Sequence, residues 1–213
     1  MIQLHCFCQS GNSYKAALTL NLLGLPWQAV FVDYMSGATR AVQWRDEVNE
    51  MGEAPVLVDG DLRLTQSGLI LTHLADKHGR FGGRDEAERR EVLRWLLFDN
   101  HKFTSYFATY RFLKAFGPTA PNPAVMEWLK GRIDAAYAVV EKHLAVQDFI
   151  VGQAPTIADL SMCGYLFYPA EESGYDLPRS HPAMTRWLDR LRALPGWAEP
   201  YSLLPGERIA PRW

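Results

Sequence analysis

The chain predicts an α+β N-terminal half joined to an all-α C-terminal half. Three observations carry this. A strand-helix-strand unit occupies residues 2–32, a hairpin signature followed by a helix occupies residues 56–79, and beyond Gly83 strand patterns give way to helical spacing.

The elements follow in order. Ile2, Leu4 and Cys6 alternate with Gln3, His5 and Phe7, as in a strand with two differently used faces. A polar elbow, "QSGNSYKAALTL" from Gln9 to Leu20, leads into Ala16, Ala17, Leu20 and Leu23 at helical spacing, and Gly24 and Pro26 supply the stop. Trp27 to Val32 is a second strand, and the intervening helix makes the pair parallel. Residues 41–47 carry no clear pattern. Val56–Val58 and Arg63–Thr65 flank the turn residues Asp59, Gly60 and Asp61, a hairpin. Ser67 opens a helix containing Leu69, Leu71, Leu74 and Ala75 that ends near Gly79. The glycines of "HGRFGGRDE" mark a linker. Glu86–Phe116 is one long helix or two, and Val125–Leu144, Thr156–Tyr168 and Ala183–Leu194 are three more.

Composition narrows the function classes. Apolar residues make up 48% of the chain, enough to core one large domain or two modest ones. With 22 basic against 24 acidic residues, a net charge of −2, there is no electrostatic footprint for nucleic acid and no basic amphipathic face for a membrane. No charged segment followed by an apolar one opens the chain and no apolar run would span a bilayer, so the expectation is a cytoplasmic protein. Cys6, Cys8 and Cys163 have neither CxxC nor metal-ligand spacing and are expected as buried core thiols, with no metal site.

The most informative stretch of the second half is "FIVGQAPTIADLSMCGYL", in which Thr156 and Asp159 form a capping box. Its Gly152, Thr156, Ala158 and Asp159 fit the pattern G-x-x-x-T-x-A-D, and "GEAPVLVDGDLRLTQSGLIL", "LRWLLFDNHKFTSYFATYRFL" and "HPAMTRWLDRLRALPGW" surround it in a characteristic order. In these motifs the chain resembles the cytosolic glutathione transferase family, in a bacterial-type subtype with Ser or Asn at the active site. The resemblance implies a thioredoxin-like β-α-β-α-β-β-α domain over residues 1–79, a linker over 80–85 and an all-helical domain over 86–213. It also implies glutathione as co-substrate, a small hydrophobic electrophile as its target, and a homodimer.

Site residues follow from the same resemblance. Ala54, before a cis Pro55, would offer its backbone to the extended cysteinyl unit of glutathione. Gln66 and Ser67 would hold the γ-glutamyl end, where free N–H groups and the helix dipole favour a carboxylate. The elbow would hold the thiolate. Lowering a thiol pKa of about 8.5 by about two units needs about 2.7 kcal/mol, which one hydrogen bond to an anion, about 1.5–3 kcal/mol, and a helix terminus, about 1 kcal/mol, together supply. Ser10 is the first candidate donor, Asn12 the second, and Ser13 the third because it is the expected helix cap. Tyr14 lies too far into the helix. Glu53 stands in the glutathione-binding segment but would repel the glycine carboxylate, leaving that group to Arg40 or Arg45, unless Glu53 is a solvated charge pointing away. Phe103, Phe107 and Tyr110 are the expected hydrophobic-substrate residues, against the alternative that an aromatic stripe is core. Asp99 of a neighbouring chain would approach the γ-glutamyl ammonium. Three functions remain open: conjugation of glutathione to an electrophile, glutathione-dependent reduction of disulfides or peroxides, and a non-catalytic binding module.

Overall fold

The computed structural model describes all 213 residues, which form two compact units. The first holds Met1–Arg80 together with Pro195–Arg208, and the second holds Phe81–Leu194 with Ile209–Trp213. The segment Pro195–Arg208, which the expected boundaries put in the helical domain, thus groups with the N-terminal unit.

The first unit is built on β1 (Ile2–Cys6), α1 (Gly11–Leu22), β2 (Trp27–Phe31), α2 (Val42–Glu47), β3 (Val56–Asp59), β4 (Leu62–Thr65) and α3 (Ser67–His78). Its sheet has the order β2-β1-β3-β4, with β1 parallel to β2 and antiparallel to β3. This is the thioredoxin-like arrangement, and α2 fills the stretch that lacked a pattern; none of its residues is buried, which is why no apolar period marked it. Leu4 and Leu57 from the sheet meet Leu18 and Leu20 of α1 and Ile70, Leu71 and Leu74 of α3, all fully buried.

The second unit is helical. α4 (Glu86–Phe98) and α5 (Thr104–Arg111) belong to one continuous run, joined by a π-helical turn over Asp99–Phe103 and followed by another over Phe112–Phe116. Asp99 and Thr104 explain the first of these. The Thr104 N–H donates to the Asp99 carbonyl, while the Thr104 hydroxyl donates to the Asp99 carboxylate at 2.5 Å. A second hydroxyl, from Ser161, donates to the other carboxylate oxygen at 2.5 Å. Asp99 is therefore wholly inside its own chain, which corrects the expectation that it reaches a neighbour's ligand.

α6 (Pro123–Leu144), α7 (Ile157–Met162), α8 (Leu177–Ser180) and α9 (Pro182–Arg192) complete this unit, and α10 (Pro200–Leu203) lies in the C-terminal segment of the first. α9 turns Ala183, Met184, Trp187, Leu188 and Leu191 inward at i, i+1, i+4, i+5 and i+8. The capping box at α7 forms as the spacing predicts. Asp159 accepts from the Ile150, Thr156 and Trp187 N–H groups, each at 2.8 Å, and from the Thr156 hydroxyl at 3.0 Å. No helix is long and apolar enough to cross a membrane.

Candidate functional site

β1 ends at Cys6, and the chain turns through Phe7–Gln9 into α1, with the Ser10 N–H donating to the Phe7 carbonyl at 3.2 Å. Ser10 is in extended geometry and its hydroxyl oxygen accepts from the Ser13 N–H at 3.0 Å, so Ser10 caps the helix. This reverses the expectation that Ser13 is the cap. A hydroxyl at the residue preceding the first helical turn reaches the third N–H ahead, and Ser13 lies one turn too late to do so. The Ser13 hydroxyl is instead sealed inside the unit without a hydrogen-bond partner.

The β1–β3 register pairs His5 with Val56 and Leu4 with Leu57. Continued by two places, it brings Ala54 level with Phe7, where the elbow begins. The Ala54–Pro55 bond is cis. Upstream, the Asn49 side chain holds this approach in shape: its amide donates to the Glu53 carbonyl at 2.9 Å and its oxygen accepts from the Met51 N–H at 3.1 Å.

α3 begins beside the same place. Its cap, Gln66, has φ +65° and ψ 113°, a backbone region that a residue with a side chain seldom occupies, and such strain persists where surrounding structure over-determines it. The Gln66 amide donates to the Glu53 carboxylate at 2.8 Å. The Ser67 hydroxyl donates to the Asn12 side-chain oxygen at 3.4 Å. That contact joins the first turns of α1 and α3, so two positive helix ends converge. Asn12 is half-buried, and with its oxygen turned to Ser67 its amide N–H groups are uncommitted. The arrangement suits an anion at each helix end.

Neighbouring titratable groups stay out of this chemistry. Burial pushes the Cys6 thiol up to about 12, so it is neutral at physiological pH, and Cys8 is equally inaccessible. Burial, with Arg63 nearby, lowers the pKa of His5 and so favours its neutral ring.

Of the expected site residues, the structure brings Ser10, Asn12, Ser13, Ala54, Pro55, Gln66 and Ser67 together around the two helix starts, with Glu53 tied to Gln66. Arg40 is exposed in a short 3₁₀ turn (Ala38–Arg40), its guanidinium folded over Gly37, and Arg45 lies over Gly52 and donates to the Glu50 carbonyl at 3.4 Å. Tyr14 is buried, its hydroxyl donating to the Ala198 carbonyl at 2.8 Å. Phe103 and Phe107 are only 1% and 4% exposed and pack on Tyr137, with ring centroids 4.9 and 5.8 Å away. Their rings belong to the core of the helical unit, the alternative that the aromatic stripe left open. Tyr110 is half-buried against Tyr175. Sequence reasoning missed Gln9, which donates to the Glu207 carbonyl at 2.6 Å, because nothing local connects residues at opposite ends of a chain.

Comparison with known proteins agrees with this fold. Residues 4–84 match the family description "Glutathione S-transferase, N-terminal domain" and residues 102–195 match "Glutathione S-transferase, C-terminal domain". Glutathione S-transferase F14 of Arabidopsis thaliana is 26% identical over 206 residues, 92% of this chain and 81% of that protein. The crystal structure of a glutathione S-transferase from Xanthobacter autotrophicus is 34% identical with a TM-score of 0.84, covering 93% of this chain and 96% of the other. Ure2p in complex with glutathione shares the fold at 22% identity, with a TM-score of 0.81 over 92% and 90% of the two chains.

Proposed function

Because this chain belongs to the glutathione S-transferase family, we propose that its N-terminal unit binds glutathione and stabilises the thiolate for attack on a hydrophobic electrophile. The observation that carries this reading is the Ser67–Asn12 contact, which sets the starts of α1 and α3 side by side with the Asn12 amide donors uncommitted. In this reading the α1 terminus receives the sulfur. The Ser10 hydroxyl, whose oxygen already accepts from the Ser13 N–H, keeps its proton to donate, and the Asn12 amide supplies a second donor. The α3 terminus, with Gln66 and Ser67, receives the γ-glutamyl carboxylate. The Ala54 backbone pairs with the cysteinyl unit, and Glu53, tied to Gln66, shapes that wall rather than binding a carboxylate. The Ser13 hydroxyl, sealed from solvent, is not a sulfur ligand in this scheme.

Catalysis then consists of holding a reactive anion in the right place and orientation. The uncommitted Asn12 amide also favours a second reading, glutathione-dependent reduction of a disulfide or peroxide. In that reaction two glutathiones supply the two electrons and leave joined as their disulfide, without a protein thiol, since Cys6 and Cys8 are buried. A homodimer is part of the proposal and is supported by exposed apolar side chains, Leu69 on α3 in one unit and Leu93 and Leu97, one turn apart on α4, in the other.

The test is ultraviolet thiolate absorbance of bound glutathione against pH, with calorimetric binding, for the wild type, Ser10→Ala and Asn12→Ala. The expected result is a wild-type bound-thiol pKa about two units below the free value near 8.5, raised in both variants. Conjugation of an aryl halide against reduction of a mixed disulfide separates the two reactions, and absence of glutathione binding would reject both in favour of a non-catalytic module.

A further inference from the structure

The segment Pro195–Arg208 runs back along α1, against the direction of the helix. At the last turn of α1 the Asn21 amide donates to the Gly196 carbonyl at 3.3 Å, and a Cβ added to Gly196, which has φ +93°, would stand 2.8 Å from the Asn21 carbonyl oxygen. Nearer the start of α1 the Tyr14 hydroxyl donates to the Ala198 carbonyl. Past α10 the segment reaches the elbow itself. The Gln9 amide donates to the Glu207 carbonyl at 2.6 Å and the Cys8 thiol donates to the same oxygen at 3.4 Å. Gly206, at φ +110°, lies directly on this spot: a Cβ there would stand 2.9 Å from Cε2 of Phe31 and 3.3 Å from the Cys8 sulfur. Only a residue without a side chain lets the backbone settle so closely.

The residue immediately before Ser10 is thus fastened to a carbonyl nearly 200 positions later in the chain. Resting on the reading of the elbow as the thiolate site, we propose that the Gly206–Glu207 backbone is a strap that positions that site, with Gln9 as the positioning residue. An elbow whose Asn12 amide donors are left uncommitted gains no rigidity from them, and a donor stabilises an anion best when its direction is fixed beforehand. The strap supplies that rigidity from outside the elbow. Gln9 and Glu207 touch no reacting atom; they act through the Ser10 cap and the first turn of α1.

Two variants test this: Gln9→Met, which keeps length and removes the donor, and Gly206→Val, which pushes the strap off Phe31 and Cys8. Amide hydrogen exchange is read by peptide in parallel with the bound-glutathione thiol pKa, on samples whose circular dichroism matches the wild type. The expected result is exchange about three- to tenfold faster in the peptide that carries the bonded N–H groups of Ser10 and Ser13, as loss of one hydrogen bond does to a local opening. Exchange at residues 18–22 stays unchanged, and the bound-thiol pKa rises in both variants. If Gly206→Val does not fold, Gln9→Met decides. Unchanged exchange at the elbow overturns the proposal, as does equal loosening along all of α1 or faster exchange with an unmoved thiol pKa. Should the wild type bind no glutathione, the transferase reading falls, while unchanged or faster exchange at the elbow still rejects or upholds the strap.

Discussion

The starts of α1 and α7 are built from similar residues and finish in opposite states. At α7 every polar group has a partner: the Thr156 hydroxyl accepts from the Ala158 N–H, and Asp159 gathers four donors in a fully buried position. At α1 the cap is made, yet the Ser13 hydroxyl lies buried without a partner and the Asn12 amide donors are uncommitted. A saturated helix start fastens a fold. An unsaturated one costs stability that other parts of the unit must offset, and in the proposed function only its half-buried Asn12 amide, not the sealed Ser13 hydroxyl, is left to meet a ligand.

The largest effect is expected on the saturated side. Asp159→Ala leaves the Trp187, Ile150 and Thr156 N–H groups unpaired inside the helical unit, a loss of about 3–5 kcal/mol. By thermal scanning that lowers Tm on the order of 10 °C for a chain of this size. A loss below about 1 kcal/mol would mean that water or rearrangement replaces Asp159, and the distinction between the two helix starts would dissolve.

A sharper contrast comes from removing one hydroxyl at each start. Thr156→Ala removes the cap and a hydrogen bond to Asp159, costing about 1–2 kcal/mol. Ser13→Ala removes a hydroxyl that makes no hydrogen bond in the structure, so its effect stays within about 0.5 kcal/mol and tends toward stabilisation. Denaturant midpoints of the two variants measured side by side check this. Equal losses would show that Ser13 has a hydrogen-bond partner in solution.

How much of this was legible in the sequence depends on how local the cause is. The capping box and the hairpin at Gly60 are specified by residues within a few positions of each other, and the motif order around them pointed to the thioredoxin-like and helical halves. The elbow was legible as a set of residues, Ser10 to Ser13, but their division of labour was not. Which hydroxyl caps the helix depends on where its first turn starts, and one position decides it. Asp99 was assigned from the resemblance alone, and no local pattern shows that Ser161, 62 positions away, is brought against its carboxylate. Phe103 and Phe107 failed as substrate residues for a related reason: apolar spacing identifies an inward face without saying whether ligand or protein fills it. The grouping of Pro195–Arg208 with the first unit rests on backbone carbonyls at Gly196, Ala198 and Glu207, and carbonyls leave no trace in side-chain patterns.

The smallest effect belongs to the other end of α3, where a polar cluster is partly open to solvent. Asp59, at the end of β3, accepts from Lys77 and faces His73, and its carboxyl pKa is lowered chiefly by the Lys77 hydrogen bond, with partial burial acting against it. A folded-state pKa below the unfolded one contributes stability above the ordinary carboxylate value near 4, and loses it as pH falls through the folded value. Asp59→Asn is therefore expected to cost about 0.2–1 kcal/mol at neutral pH, less in 1 M salt, and nothing once the solution is acid enough to protonate Asp59 in the folded protein. Urea midpoints of wild type and variant across pH would show the two curves converging on the acid side. Because this tie lies at the C-terminal end of α3, the bound-thiol pKa should not move with it. A thiol pKa that did shift in Asp59→Asn would mean that α3 transmits strain along its length to Ser67, and that the unsaturated helix starts are held from farther away than their own first turns.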